Sequence, residues 1–257
     1  MDGSSLRRLG DRWQVSHMTA WRRIQRLQDN NIRTGKLIIL DLPKICPLIY
    51  LDAKHFVIHR KPFTLYVAMD VKSKKPIAWI FLPRYELRDG YDSILNLLRS
   101  KNLEIKGIIS DGHRGLRASI VDYYPEAIHQ RCAAHVLQEV YRKLGGRRFT
   151  KTIIAQEVWP VMRKIVLGFD NYFSARMYLG KMKIKYPIYH KAFKVLDKQL
   201  KYTYQFEKNK SLYIPKTSNQ IENFMGFLEQ RLKTMRGTKT PDTTIRIITS
   251  IILTKFK

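Results

Sequence analysis

Cysteine, acidic residues and long apolar runs are all scarce in this chain, and each shortage removes a class of protein. Only Cys46 and Cys132 occur among the 257 residues, too few for a disulfide framework. No segment reaches the roughly 18 apolar residues that span a bilayer. The start, MDGSSLRRLGDRWQ, lacks the apolar centre of a signal peptide. These absences lead us to expect a reducing, cytoplasmic setting and no membrane partner. No repeat and no low-complexity tract is present. Acids are outnumbered most heavily: 21 Asp plus Glu face 48 Lys plus Arg, a formal net charge of +27. Such an excess points to a polyanionic partner, because Lys and Arg displace the counterions condensed on phosphates. Ribosomal and membrane-surface proteins share this bias, so charge names a partner class and no reaction. A hydrophobic fraction of 44% excludes a disordered basic tail. The chain is long enough to bury a substantial core in one or two domains.

The basic excess is spread along the chain, with eight Lys/Arg against three acids in residues 1–40 and seventeen against five in 181–257. Residues 4–28 read as two short helices joined by a turn. Ser16 is placed to cap the second helix, with Val15 before it as a staple partner for Ala20. Trp21, Ile24 and Leu27 recur at helical spacing, while His17, Thr19, Arg22, Arg23 and Arg26 fall largely elsewhere. A basic second helix of this kind suits the major groove, as in a helix-turn-helix. A small amphipathic pair with a solvated basic face satisfies the same pattern.

From about residue 46 the period changes. CPLIYLDAKHFVI, FTLYVAMDV and KPIAWIFLP are three strand-like runs, with VKSKKP as a hairpin turn between the last two. A helix over DGYDSILNLLRSKN, the strand IKGIIS, a helix near 114–122 and a short strand in EAIHQRC follow. The order β-β-β-α-β-α-β predicts a mixed sheet flanked by helices. Residues 133–216 read as helices throughout. In TSNQIENFMGFLEQRLKTM, Ile221, Phe224, Leu228, Leu232 and Met235 make one apolar stripe.

Two carboxylates stand out against this background. Asp111 ends an apolar strand at an Asp-Gly turn, and Asp52 falls inside the first strand run. A carboxylate there is costly to desolvate unless a cation pairs with it. A salt bridge would do, and so would divalent metal, for which carboxylate oxygens suit Mg²⁺ or Mn²⁺ better than His or Cys. A phosphodiester site with two metals needs a third carboxylate. Glu222 is the candidate, sharing a helix face with Gly226 and Glu229, and Gly226 would let that face approach the sheet closely. Asn219-x-x-Glu222 also fits a helix-start capping pattern. Spacing alone leaves both open. Cys132-x-x-His135 is half of a zinc motif with no second ligand pair, so a buried Cys beside a helical His is the expectation. His113 and Arg114 read as partners behind the site or as DNA-phosphate contacts. Asp70 and Asp122 suit a hairpin edge and a helix surface, and Trp159 suits a core position better than a base-stacking one.

Taken together, LIYLDAKHF, IISDGHRGL, YYPEAIHQRCAAH and TSNQIENFMGFLEQRLKTMRG resemble the prokaryotic Mutator-type transposase family over roughly residues 45–240. The resemblance implies an α/β, RNase H-like fold: a mixed five-stranded sheet with flanking helices, interrupted by an all-α insertion and preceded by a small helix-turn-helix. It implies a DDE triad of Asp52, Asp111 and Glu222 holding two Mg²⁺ (or Mn²⁺) ions, with Cys132 and His135 as a structural motif of the family. The expected parts are residues 1–40 for DNA binding, 45–135 with 217–257 for catalysis, and 136–216 for the insertion. The implied activity is cleavage and strand transfer on double-stranded DNA (transposon ends and target) by a homodimer or higher oligomer in the nucleoid. Members usually carry a longer amino-terminal region, so a shortened copy is a further expectation. An inactive DNA-binding regulator and an RNase H-like nuclease are the alternatives. The first leaves three dispersed carboxylates unexplained, and the second leaves the helical insertion unexplained.

If residues 4–28 read DNA, replacing Arg22, Arg23 and Arg26 by Ala will weaken duplex binding. It will also lower the salt slope by about 0.9 for each phosphate that is no longer neutralised. Affinity measured across a salt series checks this, and an unchanged slope would put the affinity elsewhere in the chain.

Overall fold

The structure, a computed structural model, describes residues 45–58, 60–147, 153–234 and 240–255, with 14–16, 18–19, 22 and 38–39 before them. Six strands form one sheet: β1 Ile38–Ile39, β2 Leu48–Ile58, β3 Lys61–Asp70, β4 Pro76–Leu82, β5 Gly107–Ser110 and β6 Ile128–Arg131, in the order β1-β4-β3-β2-β5-β6. The sheet is mixed. β3 runs antiparallel to β4, whereas β5 is parallel to both β2 and β6. Five strands were expected; the sixth, β1, is a two-residue pairing of Ile38 with Trp79 and Ile39 with Ala78. So short a strand leaves no alternation to read.

By internal contacts the chain divides into two units, residues 1–46, 51–104 and 220–257, and residues 47–50 and 105–219. In the first, β3 and β4 are nearly all buried because their runs are apolar on both faces. The hairpin between them closes on Asp70, itself buried, whose carboxylate accepts from Cys46 N at 2.7 Å and Ser73 N at 2.6 Å. Helix α1, Arg88–Ser100, follows β4 and turns Tyr91, Ile94, Leu95 and Leu98 inward. The Tyr91 ring meets Tyr66 of β3 edge-on at 4.9 Å. Tyr66 Oη also accepts from Leu87 N and donates to Leu87 O, tying the helix entry to the sheet. Two further helices, Asn219–Thr234 and Pro241–Lys255, complete the unit. They are α7 and α8 in chain order. Ile221, Phe224, Leu228 and Leu232 of α7 are buried, as the stripe predicts, and Met235 lies outside the described residues. Trp79 of β4 donates to Thr249 of α8 at 3.4 Å.

The second unit joins the start of β2 to β5, β6 and a helical body. Its helices are α2 Arg114–Tyr123, α3 Ala133–Lys143, α4 Ile153–Leu167, α5 Tyr172–Lys185 and α6 His190–Thr203, followed by a 3₁₀ segment, Gln205–Leu212. Val136, Val140, Met162, Ile165, Leu179, Phe193 and Leu196 share one core. Trp159 packs partly buried against it, edge-on to Tyr141 at 5.7 Å, which favours the core reading of that residue. β6 is anchored to this body by Gln130, which is fully buried. Its Nε2 donates to Thr203 O at 2.6 Å and its Oε1 accepts from Phe206 N at 2.9 Å. Among the described residues no helix is long and apolar enough to cross a membrane.

Gly90 is where α1 meets the sheet most tightly. A Cβ built there would fall inside the ring of Tyr66. Gly90→Ala will therefore force the buried Tyr66 ring to move and cost about 1–3 kcal/mol, as overpacked cores do. Chemical denaturation checks this, and an unchanged midpoint would show that the ring yields freely.

Candidate active site

In the second unit the start of β2 pairs in parallel with β5. Leu48 pairs with Gly107, Ile49 with Ile108 and Tyr50 with Ile109. Asp111 comes one residue after the end of β5, whereas Asp52 lies within β2. The apolar residues that make this ladder are all buried, so its register is strongly specified.

In the second unit, Asp111 stands at the mouth of a braced turn. Its Oδ1 accepts from His113 N at 2.9 Å. Ser110 Oγ accepts from Gly112 N at 3.2 Å and bonds His129 Nε2 at 2.7 Å. Burial, reinforced by Arg117 and Arg131, lowers the His129 pKa to about 4, so the ring is neutral near pH 7. Gly112 has φ +81°, and a Cβ there would press on the Arg131 guanidinium at 3.0 Å. Two constraints thus require glycine after Asp111: a left-handed backbone and an arginine against the turn. Arg131 is itself held by Glu139 at 3.0 Å and Gln199 at 2.7 Å. Burial pulls its pKa down, against the opposing pull of Glu139 and Asp111. Neither Arg131 nor His129 stood out in the sequence. Both sit in a short strand whose periodicity says nothing about which side chain turns toward a neighbouring loop.

His113 caps α2, accepting from Gly115 N through Nδ1 at 3.2 Å. That gives it a structural task in this strand-to-helix turn, while Arg114 beside it is exposed. Cys132 is fully buried and sits at the cap position of α3. Its Sγ accepts from Ser218 N at 3.3 Å, and Ala133 N donates to Lys216 O at 2.9 Å. Burial alone would push the Cys132 thiol up, but hydrogen bonds from His135 and Ser218 outweigh it and lower the pKa. Cys132 and Ala133 therefore fasten the chain immediately before α7, four residues ahead of Glu222.

In the first unit, Asp52 is half-buried on β2 and its Oδ1 accepts from Ala53 N at 2.8 Å. Glu222 is half-buried in the first turn of α7. Asn219 is the first residue of that helix. The close approach expected at Gly226 is absent. A Cβ there would meet nothing within 4 Å among the described residues. Glu229, on the same helix face, is committed to lysines. It pairs with Lys233 and Lys54, each at 2.8 Å, and these bonds lower its pKa to about 2. Asp122 is exposed on α2, as expected.

At the amino terminus, Ser16 Oγ accepts from Thr19 N at 3.1 Å, the bond of a helix N-cap, and Arg22 is exposed. His17, Arg23 and Arg26 lie outside the described residues, as does most of the expected helix-turn-helix.

Comparison with known proteins bears on this arrangement. Residues 40–254 match the family described as Transposase, Mutator family. The transposase for insertion sequence element IS1201 of Lactobacillus helveticus is 28% identical over 103 residues, covering 37% of this chain and 28% of that one. The transposase for insertion sequence element ISRM5 of Rhizobium meliloti (strain 1021) is 26% identical over 132 residues, covering 51% and 32%. The matches thus span about a third or less of those relatives' lengths. Among solved structures, a chain of the simian T-cell lymphotropic virus intasome in complex with PP2A regulatory subunit B56 gamma aligns over 63% of this chain and 69% of that one. Its identity is 12% and its TM-score 0.27, too loose a likeness to carry an argument. The family match covers most of the strands and helices described above, including the segments that carry Asp52, Asp111 and Glu222, and the chain belongs to the Mutator family of transposases.

Proposed function

We propose that this chain is a DDE transposase that binds double-stranded DNA at transposon ends, cleaves a phosphodiester and transfers the resulting 3′-hydroxyl to target DNA. In this reading the sheet and flanking helices are an RNase H-like catalytic body, residues 136–216 are its all-α insertion, and residues 1–40 are a helix-turn-helix. Assembly on DNA as a homodimer or higher oligomer belongs to the same proposal.

The observation that carries the reading is the match of residues 40–254 to the Mutator family of transposases, which takes in the segments bearing Asp52, Asp111 and Glu222. The donor chemistry fits a hard divalent ion, since the residues in question are carboxylates with partly exposed side chains. Asp52, Asp111 and Glu222 would hold two Mg²⁺ or Mn²⁺ ions. Metal bound there supplies activation of the attacking oxygen and stabilisation of the leaving oxygen during in-line displacement at phosphorus.

The chain's own contribution is orientation. The His113 N–H holds Asp111 Oδ1, and Arg131, pressed against Gly112 and gripped by Glu139 and Gln199, stiffens the turn from behind. Metal chemistry needs carboxylates placed to a fraction of an ångström, and a braced strand end meets that need better than a free loop. On the Glu222 side, the Cys132–Ser218 bond fixes the entry to α7. The two anchors explain why a buried thiol and a neutral histidine sit so near the proposed site in the chain.

The test is cleavage of end-containing duplex DNA in Mg²⁺. Asp52→Asn, Asp111→Asn and Glu222→Gln will each reduce cleavage by at least roughly 100-fold, since even outer partners of a metal ligand are worth about 10–100-fold. DNA binding will stay intact or improve, because each swap keeps shape and removes a negative charge. Retained cleavage in any one variant would remove that residue from the triad.

A further inference from the structure

The second unit carries a cleft of about 580 Å³ between α2 and the segment formed by the end of α6 and the 3₁₀ turn after it. Arg114, Arg117, Lys201 and Lys208 line it, and no carboxylate does. None of the four makes an ion pair among the described residues, although the same unit pairs Arg131 with Glu139 and Lys183 with Asp197. Arg117 and Lys201 instead converge on one aromatic ring. The Arg117 guanidinium carbon is 4.3 Å from the Tyr202 centroid and Lys201 Nζ is 5.0 Å from it. Burial would raise the Tyr202 phenol, but these two cations outweigh it and lower its pKa. His129 also lines the cleft, and it is neutral near pH 7.

Four uncompensated cations in one cleft repel each other, and that arrangement costs stability unless an anion settles there. The ring of Tyr202 offsets part of the repulsion and holds two of the charges in place. Arg114, Lys201 and Lys208 are exposed and sit on long stems along three different elements. Long exposed cations of this kind suit the phosphates of a nucleic-acid backbone. We propose that this cleft binds the phosphodiester backbone of duplex DNA, as a contact made by residues other than Asp52, Asp111 and Glu222. The proposal rests on the transposase reading for the identity of the polyanion and adds to it the surface that holds the DNA in the helical body.

The full chain bearing Arg114→Gln, Lys201→Gln and Lys208→Gln tests this, with duplex DNA affinity measured across a chloride series in EDTA. Because the three side chains are exposed, the melting temperature will match wild type. The slope of log affinity against log salt will fall by about 2 to 3, at roughly 0.9 per phosphate neutralised. The amide variants of the triad, run alongside, will keep the wild-type slope. If wild type binds and cleaves DNA but the triple variant keeps its slope, the cleft assignment fails and the transposase reading stands. If wild type shows no affinity for duplex DNA, both fail. If the triple variant loses slope for a duplex RNA of the same sequence and not for DNA, the polyanion is RNA and the proposal is overturned.

Discussion

The parallel ladder of Leu48–Tyr50 on Gly107–Ile109 is the constraint on which the rest depends. Parallel strands need a long crossover, and here the crossing chain includes β3, β4 and α1. The ladder is apolar and buried, so a slip of one residue would turn every core side chain to the wrong face. What emerges beyond it is therefore fixed in register. Asp111 follows the buried β5 directly, so its place in the turn is set by the packing of that strand.

Polar groups around Asp111 are arranged to hold the backbone, and cations are kept at the rear. Ser110, His129 and the His113 N–H bind the turn, while Arg131 lies against Gly112 and is already engaged by Glu139 and Gln199. An arginine that saturated the aspartate directly would leave less for a metal. Elsewhere the chain handles carboxylates differently. Asp70 is consumed by two backbone donors at a hairpin, and Glu229 by two lysines.

Much of this was legible in the sequence. The long runs of β2, β3 and β4 are apolar enough to be read as strands, and the helical body announces itself by periodicity. The Asp-Gly at 111–112 marked a strand ending in a turn. Less could be read wherever a long-range partner decides the outcome. β1 is two residues long, and its pairing with β4 leaves no local trace. Gly226 promised a close approach that its surroundings do not make, whereas Gly90, which the sequence did not single out, and Gly112 are glycines with an atom waiting where a Cβ would stand. Arg131 and the Lys54–Glu229 pair are likewise contacts between elements far apart in the chain. Periodicity reports one element at a time, and these contacts belong to two.

The central claim is that Asp52, Asp111 and Glu222 hold divalent metal. Replacing Mg²⁺ with Fe²⁺ and generating hydroxyl radicals at the bound ion tests it without requiring turnover, because the backbone is cut beside the metal. The account predicts cuts next to residues 52, 111 and 222, suppressed by excess Mg²⁺ and abolished in the Asp52→Asn, Asp111→Asn double variant. Cuts confined to other segments, or cuts at these positions that excess Mg²⁺ leaves unchanged, would contradict it.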